Sequence, residues 1–391
     1  MPAPDKKKTM KRAAIGVGVL VFVLGLDFVW KDLIPDSSVR QLLMLAACNV
    51  LVALSLNVIN GMAGQFSIGH AGFVGIGGYT SAVLAANLHE SFGGGDATFG
   101  RSFVIVPICL LASACLAGLF GLIVGLPSLR LKGDYLAIVT LGFAEIIRLV
   151  ISTARAGSEG SGGIGAMLAK LGGQNGYQGI NNQGVPLYAG PFWVFGLAFV
   201  LGVIAWRIKF SGWGRALRAL REDEIAAAAV GVDPTRYKVT SFVIAAMGAG
   251  VAGGLMAIMR DGIPVNPDNY NFQASFDAIT MVILGGSGSV SGAVIGGLLI
   301  TFTIKAIELV QGTRVVQDLK QSFESLDLNA LRMIIYAIIL IVMMIVRPEG
   351  ILGERELFQK KRPPRGEPPP NKPKQQAKQE PEPATGGTVE A

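Results

Sequence analysis

The chain is poor in charge, cysteine and histidine, and each shortage argues against a class of function. Lys, Arg, Asp and Glu make up 16% of its 391 residues, whereas soluble domains carry roughly 25%. There are two histidines and three cysteines, with no Cys-x-x-Cys pair, so neither a metal site nor a disulfide framework is indicated. Cys48, Cys109 and Cys115 all fall within apolar runs, where we expect them to pack as small side chains.

Motifs of catalysis are also missing. The sequence has no Gly-Lys dipeptide, so the glycine-rich stretch around 285–292 is not a phosphate-binding P-loop. Neither an HExxH motif nor a nucleophile elbow occurs. We therefore expect a chain that is not an enzyme and that holds no catalytic residues, no metal and no cofactor of its own.

What the chain has in abundance is apolar sequence. Hydrophobic residues make up 51%, the mean hydropathy is +0.50, and 52 glycines offer close approach between helices in lipid. The net charge of +7 comes largely from clusters beside the apolar runs, which is the pattern of membrane topology signals rather than of a nucleic-acid face. The fold class predicted is an all-α polytopic membrane protein.

About ten transmembrane helices are predicted from runs long enough to cross a bilayer core of about 30 Å. The segment 273–285 is short and could instead be bent or re-entrant. The predicted spans lie near 13–30, 39–60, 67–88, 102–126, 134–152, 190–208, 237–259, 273–285, 289–310 and 331–347.

The basic clusters orient these spans. With ten spans and residues 1–12 inside, each Lys/Arg cluster falls on the cytoplasmic side, as the positive-inside rule requires. Both termini are then cytoplasmic, and a membrane domain covers 13–350. The remaining residues, 351–391, are predicted to be a disordered tail, since 360–391 are rich in proline and charge and contain almost nothing to bury.

A charged helix is predicted at 211–234, between two spans, in a stretch that includes GRALRALREDEIAAAAVGVDP. It is too polar to cross a membrane, and an i,i+4 pair of Arg218 with Glu222 would support it. Leu217 and Leu220 form a modest apolar stripe, Gly231 is placed to end the helix, and Pro234 prevents its continuation. The helix either simply joins two spans or is presented to a soluble cytoplasmic partner.

Polar residues also occur within the predicted spans. Gln65, Ser67 and His70 precede a stripe of glycines, Gly69, Gly72, Gly75 and Gly78, and they either make interhelical hydrogen bonds or face a translocation path.

Ionisable residues within the spans are arranged mostly as local pairs. Glu145 with Arg148 and Lys305 with Glu308 are spaced i,i+3 and can neutralise each other within one helix, whereas Asp277 has no such neighbour. We expect the pairs to be structural.

Four long segments, in order, resemble the permease subunits of branched-chain amino acid ABC importers, specifically the LivM-type half. They are GQFSIGHAGFVGIGGYTSAVL (64–84), LRLKGDYLAIVTLGFAEIIRLV (129–150), GRALRALREDEIAAAAVGVDPTRYK (214–238) and FQASFDAITMVILGGSGSVSGAVIGGLL (272–299). The resemblance implies that 13–350 is a permease domain of a bacterial inner (plasma) membrane protein that works by alternating access.

The resemblance also implies partners and roles. The partners would be a second homologous permease, two ATP-binding subunits that hydrolyse ATP, and a periplasmic solute-binding protein, with the lipid bilayer around them. The segment 211–234 would be the coupling helix, with Arg215, Arg218, Arg221, Glu222 and Asp223 as its docking face and Gly231 as its end. Related systems import urea, short amides or other amino acids, so the substrate stays open, and a stand-alone channel or ion-coupled carrier is the alternative from another class.

Overall fold

The fold is described here from a computed structural model. It describes residues 29–95, 99–128, 131, 133–154, 171–180, 183–311, 345–347, 350–353 and 355–357, with the single residues 18, 25, 27, 338, 341 and 342. The predicted spans 13–30 and 331–347 lie mostly outside these residues, as do the N-terminus 1–12 and residues 358–391 of the predicted tail. The count of ten spans therefore stays a prediction.

The described part of the chain forms ten α-helices. They are α1 Ser37–Asn57, which continues through a π-helical turn Val58–Met62, then α2 His70–Ser91, α3 Phe99–Ser128, α4 Asp134–Thr153, α5 Pro191–Phe210, α6 Gly212–Glu222, α7 Glu224–Ala229, α8 Pro234–Ile258, α9 Phe272–Gly285 and α10 Val290–Gln311. Short 3₁₀ turns occur at Gly173–Asn175 and Pro267–Tyr270.

Seven of these helices are long and apolar enough to cross a membrane: α1 to α5, α8 and α10. They coincide with seven of the predicted spans, and the all-α polytopic class is confirmed. The α1, α2 and α8 helices are mostly buried, whereas α4 and α5 expose much of their length. Exposed leucine, isoleucine and valine side chains on α3 and α4, such as Leu111 and Ile138, are the surface that lipid would cover.

Glycines allow the buried helices to approach closely. A Cβ atom added to Gly253 of α8 would come within 1.9 Å of the Val74 carbonyl oxygen in α2, and one added to Gly250 would lie 2.5 Å from the Ser113 carbonyl oxygen in α3. The Ser113 hydroxyl donates to the Gly77 carbonyl at 2.8 Å, so these three helices are joined by both close packing and hydrogen bonds. The predicted glycine stripe on α2 is likewise close-packed, with Tyr270 against Gly75 and Gly78.

Two sets of contacts define the ends of the bundle. At one end, which carries α6 and α7 and which we call the inner end, Gly61 after α1 lies against Gly288 before α10; we call the opposite end the outer end. At the outer end, Arg40 of α1 pairs with Asp261 after α8 at 3.1 Å, and the Tyr177 amide donates to the Val265 carbonyl. The α1 helix therefore runs in the opposite direction to α8 and α10.

Two spans contain irregular backbone. The α2 helix begins at His70 rather than near 67, because residues 64–69 are not helical and Gly64 has a φ of +68°. The α9 helix has 14 residues, about 21 Å at 1.5 Å per residue. Its preceding 3₁₀ turn already lies against the middle of α2, and its last residue adjoins Gly286 near the inner end. The segment predicted to be short is thus a helix that starts within the bundle and runs to its inner end.

Candidate functional site

The predicted charged helix is two helices, α6 and α7, which we call the surface helix pair. Ser211 caps α6 by accepting the Gly214 amide at 3.1 Å, and Leu217 and Leu220, the predicted apolar stripe, are buried. The prediction of one continuous helix over 211–234 is wrong, because Asp223 has an extended backbone. Its side chain accepts the Ile225 and Ala226 amides at 2.8 and 3.1 Å, so Asp223 ends α6 and caps α7.

The end of α7 and the start of α8 lie where Gly231 and Pro234 predict them. Gly231 has a φ of +88° and its amide donates to the Ala228 carbonyl at 3.0 Å, which confirms it as the helix stop. Pro234 is the first residue of α8, where its missing amide hydrogen costs nothing. Asp233 caps this start by accepting the Thr235 amide at 3.0 Å, so the next span begins three residues earlier than predicted.

The residues predicted to form a docking face divide between two sides. Arg215, Glu222, Asp223 and Gly231 are exposed, whereas Arg218 and Arg221 are half-buried. Among the described contacts Arg218 does not pair with Glu222. Its guanidinium donates instead to the carbonyls of Lys209 at 3.2 Å and Gly214 at 3.4 Å, which lie within reach of the side chain at the start of α6.

Arg221 joins the surface helix pair to the end of α1. Its Nη1 donates to the Gly61 carbonyl at 2.7 Å. Its aliphatic chain lies so close to Gly64 that a Cβ there would be 2.6 Å from the Arg221 Cγ. The left-handed backbone at Gly64 and this close approach both require glycine, so the turn after α1 is shaped around Arg221.

Two further contacts join the pair to α8. Lys238 forms an ion pair with Glu224 of α7, and the Trp213 ring of α6 stacks on Tyr237 with 6.3 Å between centroids. Each helix of the surface pair is therefore held separately against the first turns of the span that follows it.

The most buried ion pair lies beneath the start of α6. Lys209, near the end of α5, binds the Glu356 carboxylate at 2.5 Å, and their side chains are only 5% and 0% exposed. Glu356 also accepts the Val290 and Ser291 amides at 2.8 and 2.9 Å, so it caps α10 as well. Residues 351–352, at the start of the predicted tail, bond through their amides to the Leu284 and Gly285 carbonyls.

The environment of Glu356 stabilises its charged form. Burial raises the pKa of this carboxyl, but hydrogen bonds from Lys209, from the Ser291 side chain and from the Ser291 and Val290 amides together lower the pKa below its ordinary value. Sequence reasoning missed this residue because its partners lie 65 to 147 positions away. A single Glu in a charged, proline-rich stretch carries no local signal of burial.

The exposed side of the surface helix pair is unexpectedly apolar. Ile225 and Val230 are 84% and 79% exposed, although isoleucine and valine are among the residues most often buried. They lie beside the exposed Glu222 and Asp223. The outward surface thus presents a small apolar patch, Ile225 and Val230, beside these charged residues.

The predicted path residues Gln65, Ser67 and His70 are all buried. His70 Nε2 lies 2.7 Å from the Ser55 hydroxyl of α1, and the Ser67 amide donates to the Asn60 side chain at 3.2 Å. Gln65 Oε1, Ser67 Oγ and His70 Nδ1 have no hydrogen-bond partner among the described residues. The next residue, Ala71, lines a cavity of about 370 Å³ between α1, α2, α8, α9 and α10, whereas Gln65, Ser67 and His70 are not among the residues that line it.

The predicted local ion pairs are present. Arg148 binds Glu145 at 2.5 Å and also Asp268 at 3.3 Å, and Lys305 binds Glu308 at 3.0 Å. Asp277 and Glu308 line the cavity. The three cysteines are free; Cys48 and Cys109 are buried, as expected of small packing side chains, whereas Cys115 is exposed. Within the described ranges, no group of three or more His, Cys, Asp or Glu side chains is arranged to hold a metal ion.

The fold and the site together define a multi-pass membrane protein with an anchored pair of surface helices. A model of the branched-chain amino acid transport system permease component matches residues 38–344. The chain belongs to this family of transport-system permeases, so it is a transport subunit rather than an enzyme.

Named relatives support this membership. The chain is 31% identical to the high-affinity branched-chain amino acid transport system permease protein LivM of Escherichia coli (strain K12), over 90% of this chain and 77% of that protein. It is 26% identical to the corresponding LivH protein of Salmonella typhimurium, over 80% and 94%. It is 22% identical to the ribose import permease protein RbsC of Haemophilus influenzae, over 75% and 84%. No solved structure matches.

Proposed function

We propose that this chain is one permease subunit of an ATP-driven importer of branched-chain amino acids in a bacterial inner membrane, with both termini cytoplasmic. The observation that carries the proposal is the surface helix pair, exposed on one side and bonded on the other to several membrane helices. Similarity to proteins named for branched-chain amino acid transport supports the substrate.

The contacts suggest how force would reach the membrane. Arg221 connects the pair to the end of α1, while Lys238 and Tyr237 connect it to α8. Arg218 donates to the Lys209 carbonyl, and Lys209 in turn binds Glu356 at the start of α10. A displacement of the pair would therefore act on α1, α8 and α10 together, which is the requirement for alternating access.

The ATP-binding subunits would supply the energy for transport. ATP would be bound and hydrolysed by two ATP-binding subunits, so this chain needs no cofactor of its own. A second homologous permease would complete the membrane path and a periplasmic solute-binding protein would deliver the substrate. Movement of the surface helix pair can drive transport only if the ATP-binding subunits bind its two positions with different affinity.

Reconstitution tests the proposal as a whole. Proteoliposomes containing this chain, its neighbouring permease and the ATP-binding subunits, with the binding protein added, should accumulate radiolabelled leucine only with ATP. Excess unlabelled isoleucine should compete and excess urea should not. Competition by urea alone would overturn the substrate. ATP-independent uptake by this chain alone would instead support a channel or ion-coupled carrier and overturn the coupling.

A substitution in the apolar patch tests the docking role separately. Ile225→Asp places a charge where the ATP-binding subunit would bury an exposed isoleucine, so co-purification of that subunit should be lost while this chain still inserts and folds. Ile225→Leu is the matched control and should retain co-purification. Equal co-purification with both variants would contradict docking at this patch.

A further inference from the structure

The α4 helix carries charged side chains near its midpoint, on a surface that this chain leaves partly exposed. Glu145 is the twelfth of the 20 residues of α4, so it lies about 2 Å from the middle of the helix at 1.5 Å per residue. Arg148 binds Glu145 at 2.5 Å and Asp268, in the 3₁₀ turn before α9, at 3.3 Å. The side chains of Glu145 and Asp268 are 38% and 73% exposed. We call these three residues the α4 charge cluster, in which two carboxylates share one guanidinium.

The depth of the α4 charge cluster is not compatible with a surface that faces lipid. Charged side chains in the middle of a span are costly, and they face a bundle interior or a water-filled space. Near the end of a helix a long side chain can reach the membrane surface instead. Lys305 and Glu308 meet that condition, because they lie at the mouth of the cavity within the last seven residues of α10. The α4 charge cluster does not, so a second protein is needed to cover it or to enclose water beside it.

The exposed surfaces of α3 and α5 contain no such charges. Residues 102–128 of α3 and 191–206 of α5 include no Asp, Glu, Lys or Arg, and large apolar side chains such as Leu111 and Phe199 are exposed there. Lipid can cover these surfaces without burying a charge. Charge at mid-depth therefore distinguishes the exposed side of α4 from those of α3 and α5.

The exposed side of α4 also has a spacing typical of packing between two helices. Ile138, Gly142, Glu145 and Leu149 recur at intervals of four, three and four residues, so they share one side of the helix. A Cβ atom added to Gly142 would meet nothing within 4 Å. Small residues on a membrane helix let the backbone of another helix approach closely. A helix of a second protein can therefore pack along this stripe and cover Glu145.

We propose that this side of α4 is the surface on which the second homologous permease subunit packs in the membrane. The inference rests on the proposed function and adds to it the surface that joins the two permeases. The ATP-binding subunits and the solute-binding protein act outside the bilayer, so they cannot cover the midpoint of a span. The packing surface of the second permease is apolar around the stripe and carries a cation or hydrogen-bond donors opposite Glu145 and Asp268, because the cluster has a net negative charge.

Photochemical crosslinking in the complete reconstituted importer tests the surface directly. A benzophenone amino acid in place of Ile138 should form a covalent product with the second permease on illumination. The same replacement of Leu111 on α3 is the matched control, since the two side chains are 64% and 67% exposed, and it should give no such product. Mass spectrometry identifies the crosslinked partner. At position 138, lipid adducts alone or a product of two copies of this chain would overturn the inference.

Two glycine variants test the packing without a crosslinker. Gly142→Phe should reduce co-purification of the second permease roughly tenfold, because the added ring fills the space that a neighbouring helix would occupy. The variant should still fold, since the space is open within this chain. Gly196→Phe on α5 is the matched control, because a Cβ atom there also meets nothing within 4 Å, and it should retain co-purification. Equal co-purification with both variants would overturn packing along the stripe.

The crosslinking result is separable from the proposed function. Failure of the wild type to accumulate leucine would overturn the proposed function. The crosslinked products at position 138 would still decide whether α4 contacts a second permease.

Discussion

The inner end of the molecule and the mouth of the cavity hold their charges differently. At the inner end, Lys209 and Glu356 are 147 positions apart and almost fully buried, and the carboxylate also accepts from the first turn of α10. At the mouth, Lys305 and Glu308 are three positions apart on one helix and about half exposed. The first pair joins two distant segments, whereas the second neutralises charge within one helix.

This difference predicts where substitutions matter. A buried ion pair has its carboxylate and ammonium removed from water, so each partner depends on the other and on nearby donors. The charges of an exposed pair are already solvated by water, so forming the pair adds little to the stability of the fold. The substitutions that follow are ordered by their expected effect, and each compares a long-range contact with a local or exposed one.

The largest effect is expected from breaking the buried pair. Lys209→Met leaves the Glu356 charge buried without its cation and should lower the free energy of unfolding by about 3–5 kcal/mol. Unfolding of the purified chain in detergent measures this. The double variant Lys209→Met/Glu356→Met should recover much of the loss, because no lone buried charge remains. A single variant as stable as the wild type would contradict the buried placement.

The same contrast explains what the sequence could and could not predict. Apolar runs of suitable length predicted seven helices, and local spacing predicted the Glu145–Arg148 and Lys305–Glu308 pairs, since these depend on neighbours along the chain. The cap at Asp223 was missed because Asp in a charged helix also fits a docking face. Glu356 was missed because its burial depends on segments that meet only in the folded chain.

The prediction of residues along the translocation path was limited in the same way, because the cavity depends on contacts between segments that are distant in the sequence. Gln65, Ser67 and His70 were selected as polar residues in an apolar run, and the fold buries all three without placing them in the lining of the cavity. The cavity itself depends on α9 beginning within the bundle, which follows from the contact of Tyr270 with Gly75 and Gly78. That contact is not visible from either segment alone, so Asp277 could be noted only as an ionisable residue within a predicted span, and its place in the cavity could not be predicted.

An intermediate effect is expected at Arg221. Arg221→Ala removes a charged donor from the Gly61 carbonyl and should lower the free energy of unfolding by about 1.5–3 kcal/mol. Arg215→Ala on the exposed side of the same helix is the control and should change stability by no more than about 0.5 kcal/mol. Thermal unfolding of the two variants in one detergent compares them. Equal losses of stability in the two variants would mean that the hydrogen bond from Arg221 to the Gly61 carbonyl does not stabilise the fold.

A smaller, pH-dependent effect is expected from Glu356. Its folded pKa lies below the ordinary value of 4.5, so the charged form contributes stability that is fully present above pH 4.5 and is lost as the pH falls through the folded pKa. Thermal unfolding between pH 7 and pH 3.5 should show this loss only below about pH 4.5. The Glu356→Gln variant should lack that component. The same dependence of thermal stability on pH in the wild type and the variant would contradict a stabilising role of the Glu356 charge.

The smallest change in the free energy of unfolding is expected for the Lys305–Glu308 pair beside the cavity. Lys305→Met removes the same functional group as Lys209→Met, but its partner Glu308 stays half exposed and can be solvated. Because exposed pairs contribute about 0–1 kcal/mol, the substitution should change the free energy of unfolding by no more than about 1 kcal/mol. The two lysine variants, unfolded side by side in one detergent, give the result. Similar large losses in both would mean that burial does not separate the two pairs.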